Sequence, residues 1–209
     1  MTTAIHRHDD STYTVTFDSD DFILTTVTSS GAAVSSWIST ILFIHRRRLS
    51  HLIVGLDVEW RPNYTRNSYP NPVAVLQLCV GSRCLVFQIL YADFVPDSLA
   101  EFLADGRFRF VGVGVEDDAQ RLVEEYDLEV ENTVDLRDLA AERVGKLELR
   151  KAGLQNLVRE VMGVHVEKER RVRMSAWDQH VLSMDQIKYA CVDAFASFEV
   201  GRRLFAWEF

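Results

Sequence analysis

The pattern of hydrophobic and polar residues predicts strands in the first half of the chain and helices in the second. Short segments rich in β-branched and aromatic residues, separated by turn residues, are typical of strands and hairpins. They lie at 12–17, 22–28, 52–60, 73–80, 84–89 and 108–115. Helical periodicity marks about 34–48, 97–105, 116–126, 136–144, 153–162 and 184–209. We therefore expect an α/β fold with a mixed central sheet flanked by helices and a helical C-terminal half.

No repeat, low-complexity tract or linker divides the sequence. Residues 1–50 hold a predicted β-hairpin and helix, which we expect to pack on the same globular unit as residues 51–209. Residues 1–11 are polar and are expected to be frayed. The last helix has a defined start, because Ser183 and Gln186 have the spacing of a capping box.

The composition is that of an ordinary globular protein. The chain has 209 residues, of which 47% are hydrophobic and 26% charged, and a net charge of −8 that argues against a general nucleic-acid coat. Three cysteines without C-x-x-C spacing predict neither a zinc site nor a disulfide framework, and they favour a reducing compartment, nucleus or cytoplasm. The apolar run 37–44 is too short to span a bilayer, so no membrane association is expected.

Two carboxylates interrupt the otherwise apolar strand at 52–60. Asp57 and Glu59 are two residues apart, so they point to the same face of a strand, about 7 Å apart along it. Adjacent carboxylates repel each other, and a divalent cation between them removes that cost. The alternative is a solvent-facing edge strand with an acidic polar face. The pattern of this segment alone does not separate the two.

Further acids occur at two other places. Glu116-Asp117-Asp118 follows a predicted strand, although acids in a first helical turn also stabilise the helix dipole without any catalysis. Tyr189 and Asp193 lie one turn apart on the last helix among small residues, where a structural Tyr–Asp hydrogen bond is the alternative. Together these acids form the kind of set that two-metal phosphoryl-transfer sites require.

These motifs resemble the tyrosine branch of the DEDD 3′–5′ exonucleases, which have an RNase H-like (DnaQ-like) fold. Within that family the chain is similar to the Werner-syndrome exonuclease domain and, more distantly, to RNase D. The resemblance covers about 52–204 and rests on segments in family order: Leu56-Asp57-Val58-Glu59-Trp60, Val73-Ala74-Val75-Leu76-Gln77-Leu78-Cys79, Gly112-Val113-Gly114-Val115-Glu116-Asp117-Asp118, and Gln186-Ile187-Lys188-Tyr189-Ala190-Cys191-Val192-Asp193-Ala194. Pro62, Tyr64, Arg66, the segment 154–157 and the segment 175–177 also match.

The resemblance implies a two-metal 3′–5′ exonuclease that uses Mg²⁺ or Mn²⁺ and releases nucleoside 5′-monophosphates from a DNA or RNA 3′ end. It implies that Asp57 bridges both metals and that Glu59 and Asp193 hold the one that binds the attacking water. Asp118 would support the second metal through water, although Asp117 is adjacent and a one-residue shift would exchange the two. Tyr189 would orient the nucleophile.

The sequence specifies the substrate contacts and the oligomeric state less closely than it specifies the acids. The candidate nucleic-acid contacts are Trp60, Arg61, Arg66, Arg121, Arg170, Arg171, Arg173 and Lys188, and solvated surface charge is the alternative for each cation. The aromatic chain end, 205–209, either docks on its own domain or marks a homo-oligomer interface. The alternative functions are a catalytically inactive nucleic-acid-binding or assembly module and an RNase H-type endonuclease.

Overall fold

The computed structural model describes residues 3–18, 20–63, 69–167 and 169–206. Within them the chain forms eight strands and seven α-helices. The strands are β1 Ala4–Arg7, β2 Thr12–Phe17, β3 Asp21–Thr28, β4 Ile53–Trp60, β5 Val73–Val80, β6 Arg83–Phe87, β7 Arg109–Gly112 and β8 Thr133–Asp135. The helices are α1 Gly31–His45, α2 Asp97–Leu103, α3 Val115–Tyr126, α4 Leu136–Val144, α5 Leu154–Met162, α6 Arg170–Arg173 and α7 Met184–Phe205.

All eight strands join one mixed sheet, in the order β1-β2-β3-β6-β5-β4-β7-β8. Strands β4, β7 and β8 are parallel to one another, whereas β4, β5 and β6 are joined by antiparallel pairs. The acidic strand β4 therefore lies inside the sheet, between β5 and β7. This position rules out the edge-strand alternative for its two carboxylates.

Each face of the sheet is covered by its own group of helices. The face that carries Leu56 and Val58 packs in one hydrophobic cluster with α1, α2 and α3. The face that carries Val75 and Val111 packs in a second cluster with α4, α5 and α7. The result is the mixed sheet with flanking helices that the sequence predicts. Of the helices that the structure describes, none has the length and apolar content to cross a bilayer.

Two sequence-based predictions need correction. Residues 4–7 are not frayed but form β1, because Ala4 pairs with Thr16 on β2 and half-buried Ile5 packs against the core. The strand predicted at 108–115 ends at Gly112, because Gly114 takes a left-handed conformation (φ 78°) and α3 begins at Val115. This turn brings the first residues of α3 back to the end of β4.

Candidate active site

Strand β4 presents Asp57 and Glu59 on the sheet face that is covered by α7. The pairing with β5 confirms this orientation, because Glu59 lies opposite Val75, and Val75 belongs to the hydrophobic cluster around α7. The pairing is irregular between Glu59 and Trp60, where β4 contains a bulge. A bulge at this point re-aims the side chains at the end of the strand.

Helix α7 brings Tyr189 and Asp193 to the same place. The helix begins with the capping box expected from Ser183 and Gln186, which accept and donate reciprocal hydrogen bonds. It approaches β4 very closely, because a Cβ atom on Gly55 would lie only 2.1 Å from the carbonyl oxygen of Ala194. Glycine at this position therefore allows Asp193, which is 3% exposed, to reach the two acids of β4.

The three carboxylates from β4 and α7 form a compact cluster. One oxygen each from Asp57, Glu59 and Asp193 can be chosen so that all three lie within 4.8 Å of one another. Such a set of hard oxygen donors fits Mg²⁺ or Mn²⁺ better than zinc, which prefers nitrogen and sulfur ligands. The geometry of these residues is therefore compatible with a bound divalent cation.

Asp118 joins this cluster from the first turn of α3. It is 9% exposed and lines a cavity of about 340 Å³ together with Asp57, Glu59, Tyr189 and Asp193. Burial and the negative charge of Asp57 raise the pKa of Asp118 to about 8. Asp117 is exposed and does not line the cavity. The structure therefore brings Asp118, not Asp117, to the acids of β4 and α7.

The turn before α3 is held by a residue pair that sequence reasoning missed. Asp135 accepts a hydrogen bond from the backbone N–H of Gly114 (2.9 Å) and another from the guanidinium of Arg137 (2.9 Å). Burial would raise the pKa of Asp135, but these hydrogen bonds outweigh it and lower the pKa. The sequence signal that could have identified Asp135 is an acid at the end of β8, the parallel strand next to β7. By binding the backbone of Gly114, Asp135 helps to position the start of α3 and therefore Asp118.

The Tyr189 phenol lies in a strongly acidic setting. Burial, followed by the charges of Asp193, Glu59 and Asp57, raises the pKa of Tyr189 far above its ordinary value. In the metal-free protein the phenol is therefore protonated at neutral pH and can donate a hydrogen bond.

The predicted nucleic-acid contacts fall into two groups. Trp60, which is 36% exposed, and Arg173 line the cavity beside the acids. Four other cations bind nearby protein groups: Arg61 pairs with Asp178 (3.2 Å), Arg121 with Glu125 (2.7 Å), Arg171 with Asp185 (3.2 Å) and Lys188 with Asp185 (3.7 Å). Arg121 also lies over the Trp60 ring. Arg170 is exposed on α6 and Arg66 lies outside the described residues.

The chain end is only partly described. Phe205 is buried, and the guanidinium of Arg109 lies 4.4 Å from the centre of its ring. The last helix therefore docks on its own domain as far as Phe205. Residues 207–209, which complete the predicted aromatic end, lie outside the described residues.

Comparison with known proteins identifies the family of the chain. A family model described as 3′-5′ exonuclease matches residues 40–205. The chain belongs to the 3′–5′ exonuclease domain family. Members of this family are nucleases, so the sequence-based assignment to an enzyme of this class is confirmed at the level of the domain.

Individual relatives give the same result. A 3′-5′ exonuclease of Arabidopsis thaliana is 34% identical over 72% of this chain, and the bifunctional 3′-5′ exonuclease/ATP-dependent helicase WRN of Mus musculus is 35% identical over 73%. The matched part is 52% of the Arabidopsis relative and 11% of the mouse relative, so the chain spans only part of the length of either.

Solved structures share the fold. Escherichia coli RNase D covers 87% of the chain with a TM-score of 0.70 and 18% identity, and the match takes in 44% of that protein. The EXD2 exonuclease domain covers 88% of the chain with a TM-score of 0.50 and 26% identity, and 90% of that domain is matched. The RNase H-like fold predicted from the sequence is therefore confirmed.

Proposed function

We propose that this domain is a metal-dependent 3′–5′ exonuclease that hydrolyses nucleic-acid phosphodiesters from the 3′ end and releases nucleoside 5′-monophosphates. The observation that carries the proposal is the convergence of Asp57, Glu59 and Asp193 within 4.8 Å, from two separate elements of a 3′–5′ exonuclease domain. Carboxylates held this close together repel one another and destabilise the fold, because each disfavours the charged form of the others. A bound cation would offset this repulsion.

The carboxylates divide naturally between two cations. By the family resemblance, Asp57 would contact both, Glu59 and Asp193 would hold the first, and Asp118 would support the second. Mg²⁺ or Mn²⁺ suits this oxygen set, and the EXD2 exonuclease domain has been soaked in Mn. When bound, the cations lower the pKa of water and offset charge on the phosphate.

The remaining residues of the cavity would bind and orient the substrate. The phenol of Tyr189 would donate a hydrogen bond to the attacking oxygen and orient it. Arg173 carries a positive charge into an acidic cavity, where it would hold a phosphate of the substrate strand. Trp60 offers an aromatic face at the cavity rim, on which a base can stack.

For the cellular setting we propose a reducing compartment. All three are buried and free, which fits a reducing compartment such as nucleus or cytoplasm. Localisation and homo-oligomer formation stay predictions from the sequence. A domain that binds nucleic acid without cleaving it is the alternative function, and an endonuclease is a further one.

The decisive experiment uses end-labelled DNA and RNA oligonucleotides, single- and double-stranded, with Mn²⁺. We expect stepwise shortening from the 3′ end by the wild type and none by Asp57→Ala, with Asp117→Ala as an active control. Equal shortening by wild type and Asp57→Ala would contradict the proposal. Binding without cleavage would favour the inactive module, and cleavage within a 3′-blocked strand would indicate an endonuclease.

A further inference from the structure

A buried amide lies in the sheet beside the acid cluster. Gln77 on β5 is 0% exposed, and neither polar atom of its side chain has a hydrogen-bond partner among the described residues. Buried polar side chains in folded proteins nearly always have a partner. For packing alone, methionine would fill a similar volume without burying an unpaired amide. The amide therefore calls for a role other than filling the core.

The register of the sheet brings this amide next to Asp57. Gln77 and Asp57 are directly opposite each other on the antiparallel strands β5 and β4, so their side chains leave the same face. The Cβ atoms of such a pair are about 4.5–5.5 Å apart. A glutamine amide can span this separation and reach the carboxylate of its partner.

Besides Asp57, the polar neighbour of Gln77 on this face of β4 is Glu59, which lies diagonally across and therefore farther away. Val86 is its partner on the second adjacent strand, β6. Gly55 lies diagonally across on β4 and has no side chain, and the backbone of α7 lies against it. Asp57 is therefore the acid directly opposite Gln77, whereas Glu59 occupies the longer diagonal position.

The Asp57 carboxylate has a contact that a bound cation would disturb. One of its oxygens, Oδ1, accepts a hydrogen bond of 3.1 Å from the backbone N–H of Val58 on its own strand. A cation held by Asp57, Glu59 and Asp193 would compete with this backbone N–H for the carboxylate. A side-chain donor from β5 would help to orient the carboxylate for that cation.

We propose that Gln77 is a positioning residue for Asp57, with its amide nitrogen donating a hydrogen bond to the Asp57 carboxylate when divalent cations occupy the acid cluster. The inference rests on the proposed function, because it requires Asp57 to be a metal ligand. Hydrogen bonds from outside a ligand set orient ligating carboxylates, and their loss commonly weakens metal binding by about 10- to 100-fold.

The test measures the dissociation constant for Mn²⁺ by electron paramagnetic resonance, with no nucleic acid present. We expect Gln77→Met and Gln77→Leu to raise it by about tenfold or more. Thr25→Val is the matched control, because Thr25 is also fully buried but its hydroxyl donates to the carbonyl of Ile23 and the sulfur of Cys191 rather than to an acid. This control should bind Mn²⁺ as the wild type does.

Thermal unfolding of the metal-free proteins separates positioning from packing. Removal of an unpaired buried amide should leave the melting temperature of Gln77→Met equal to or above that of the wild type. A lower melting temperature with unchanged Mn²⁺ affinity would assign Gln77 to packing and overturn the inference. A folded Gln77→Met or Gln77→Leu that binds Mn²⁺ within twofold of the wild type would overturn it as well.

Asp57→Ala distinguishes this failure from a failure of the proposed function. If the wild type binds Mn²⁺, Asp57→Ala does not, and the Gln77 variants bind normally, only the role of Gln77 is refuted. If the wild type does not bind Mn²⁺, or Asp57→Ala binds it equally well, the metal site itself is refuted.

Discussion

The contact between α7 and β4 at Gly55 gives the sharpest prediction about the site. In Gly55→Ala the new Cβ atom would lie 2.1 Å from the carbonyl oxygen of Ala194 and 2.7 Å from the amide nitrogen of Phe198. Real Cβ contacts do not fall below 3.0 Å, so the helix backbone must retreat by about 0.9 Å, the difference between 3.0 and 2.1 Å. Both neighbours are backbone atoms, so no side-chain rotation relieves the contact.

This retreat acts directly on the acid cluster. Ala194 is adjacent to Asp193, so the helix would carry this carboxylate away from Asp57 on β4. A misplacement of about 1 Å in a catalytic geometry can reduce the rate by about 100-fold. We expect a similar loss in kcat/KM for Gly55→Ala, with a loss of about 1–3 kcal/mol in the free energy of unfolding from overpacking.

The assay measures the initial rate of mononucleotide release from a 5′-labelled oligonucleotide, together with urea unfolding of the same preparations. Gly106→Ala is the matched control, because a Cβ atom at Gly106 would meet nothing within 4 Å and its φ is not positive. It should retain full activity. A folded Gly55→Ala with the wild-type rate would refute the reasoning that this close approach sets the geometry of the site.

Further predictions concern three single side chains of the cavity. Asp118→Asn should abolish most activity while Asp117→Asn retains it, as measured by the same rate assay; equal effects would contradict the proposed role of Asp118 in metal binding. Because the folded-state pKa of Asp118 is about 8 and its ordinary value is 3.8, the metal-free native state binds the extra proton. Stability from this group is present at low pH and is lost as pH rises from about 4 to 8, so urea unfolding should show a flatter pH dependence in Asp118→Asn. Tyr189→Phe should lower kcat by about tenfold, the value of one hydrogen bond, with Mn²⁺ affinity unchanged; an unaltered kcat would argue against its orienting role. Arg173→Ala should weaken oligonucleotide binding and reduce the salt dependence of the binding constant by about one phosphate contact. Arg171→Ala should leave binding unchanged, because Arg171 is already paired with Asp185. Similar losses of affinity in the two variants would show that the two cations are equivalent.

Much of the site could be predicted because the relevant pattern is local. The two-residue spacing of Asp57 and Glu59 fixes a common face of any strand, and the four-residue spacing of Tyr189 and Asp193 fixes a common face of any helix. The capping box at Ser183 likewise depends on neighbours in sequence. These predictions hold whatever the rest of the chain does.

The arrangement of these elements required the tertiary structure. An acidic strand at the edge of a sheet and one in its centre have the same sequence pattern, and only the pairing of β4 with both β5 and β7 distinguishes them. Asp117 and Asp118 are adjacent and chemically identical, and the left-handed turn at Gly114 decides which of them is buried. From the sequence alone, four cations were equivalent candidates for binding nucleic acid: Arg61, Arg121, Arg171 and Lys188. The structure pairs each of them with an acidic side chain.

The sequence by itself determined the elements, the acids they carry and the face on which each acid lies, because these depend on periodicities within one segment. Only the tertiary structure decided that the acids meet, that Asp118 is the one that joins them and that Gln77 stands directly opposite Asp57. Those outcomes depend on strand order, on register and on the approach of α7 to Gly55, which are contacts between segments far apart in the chain.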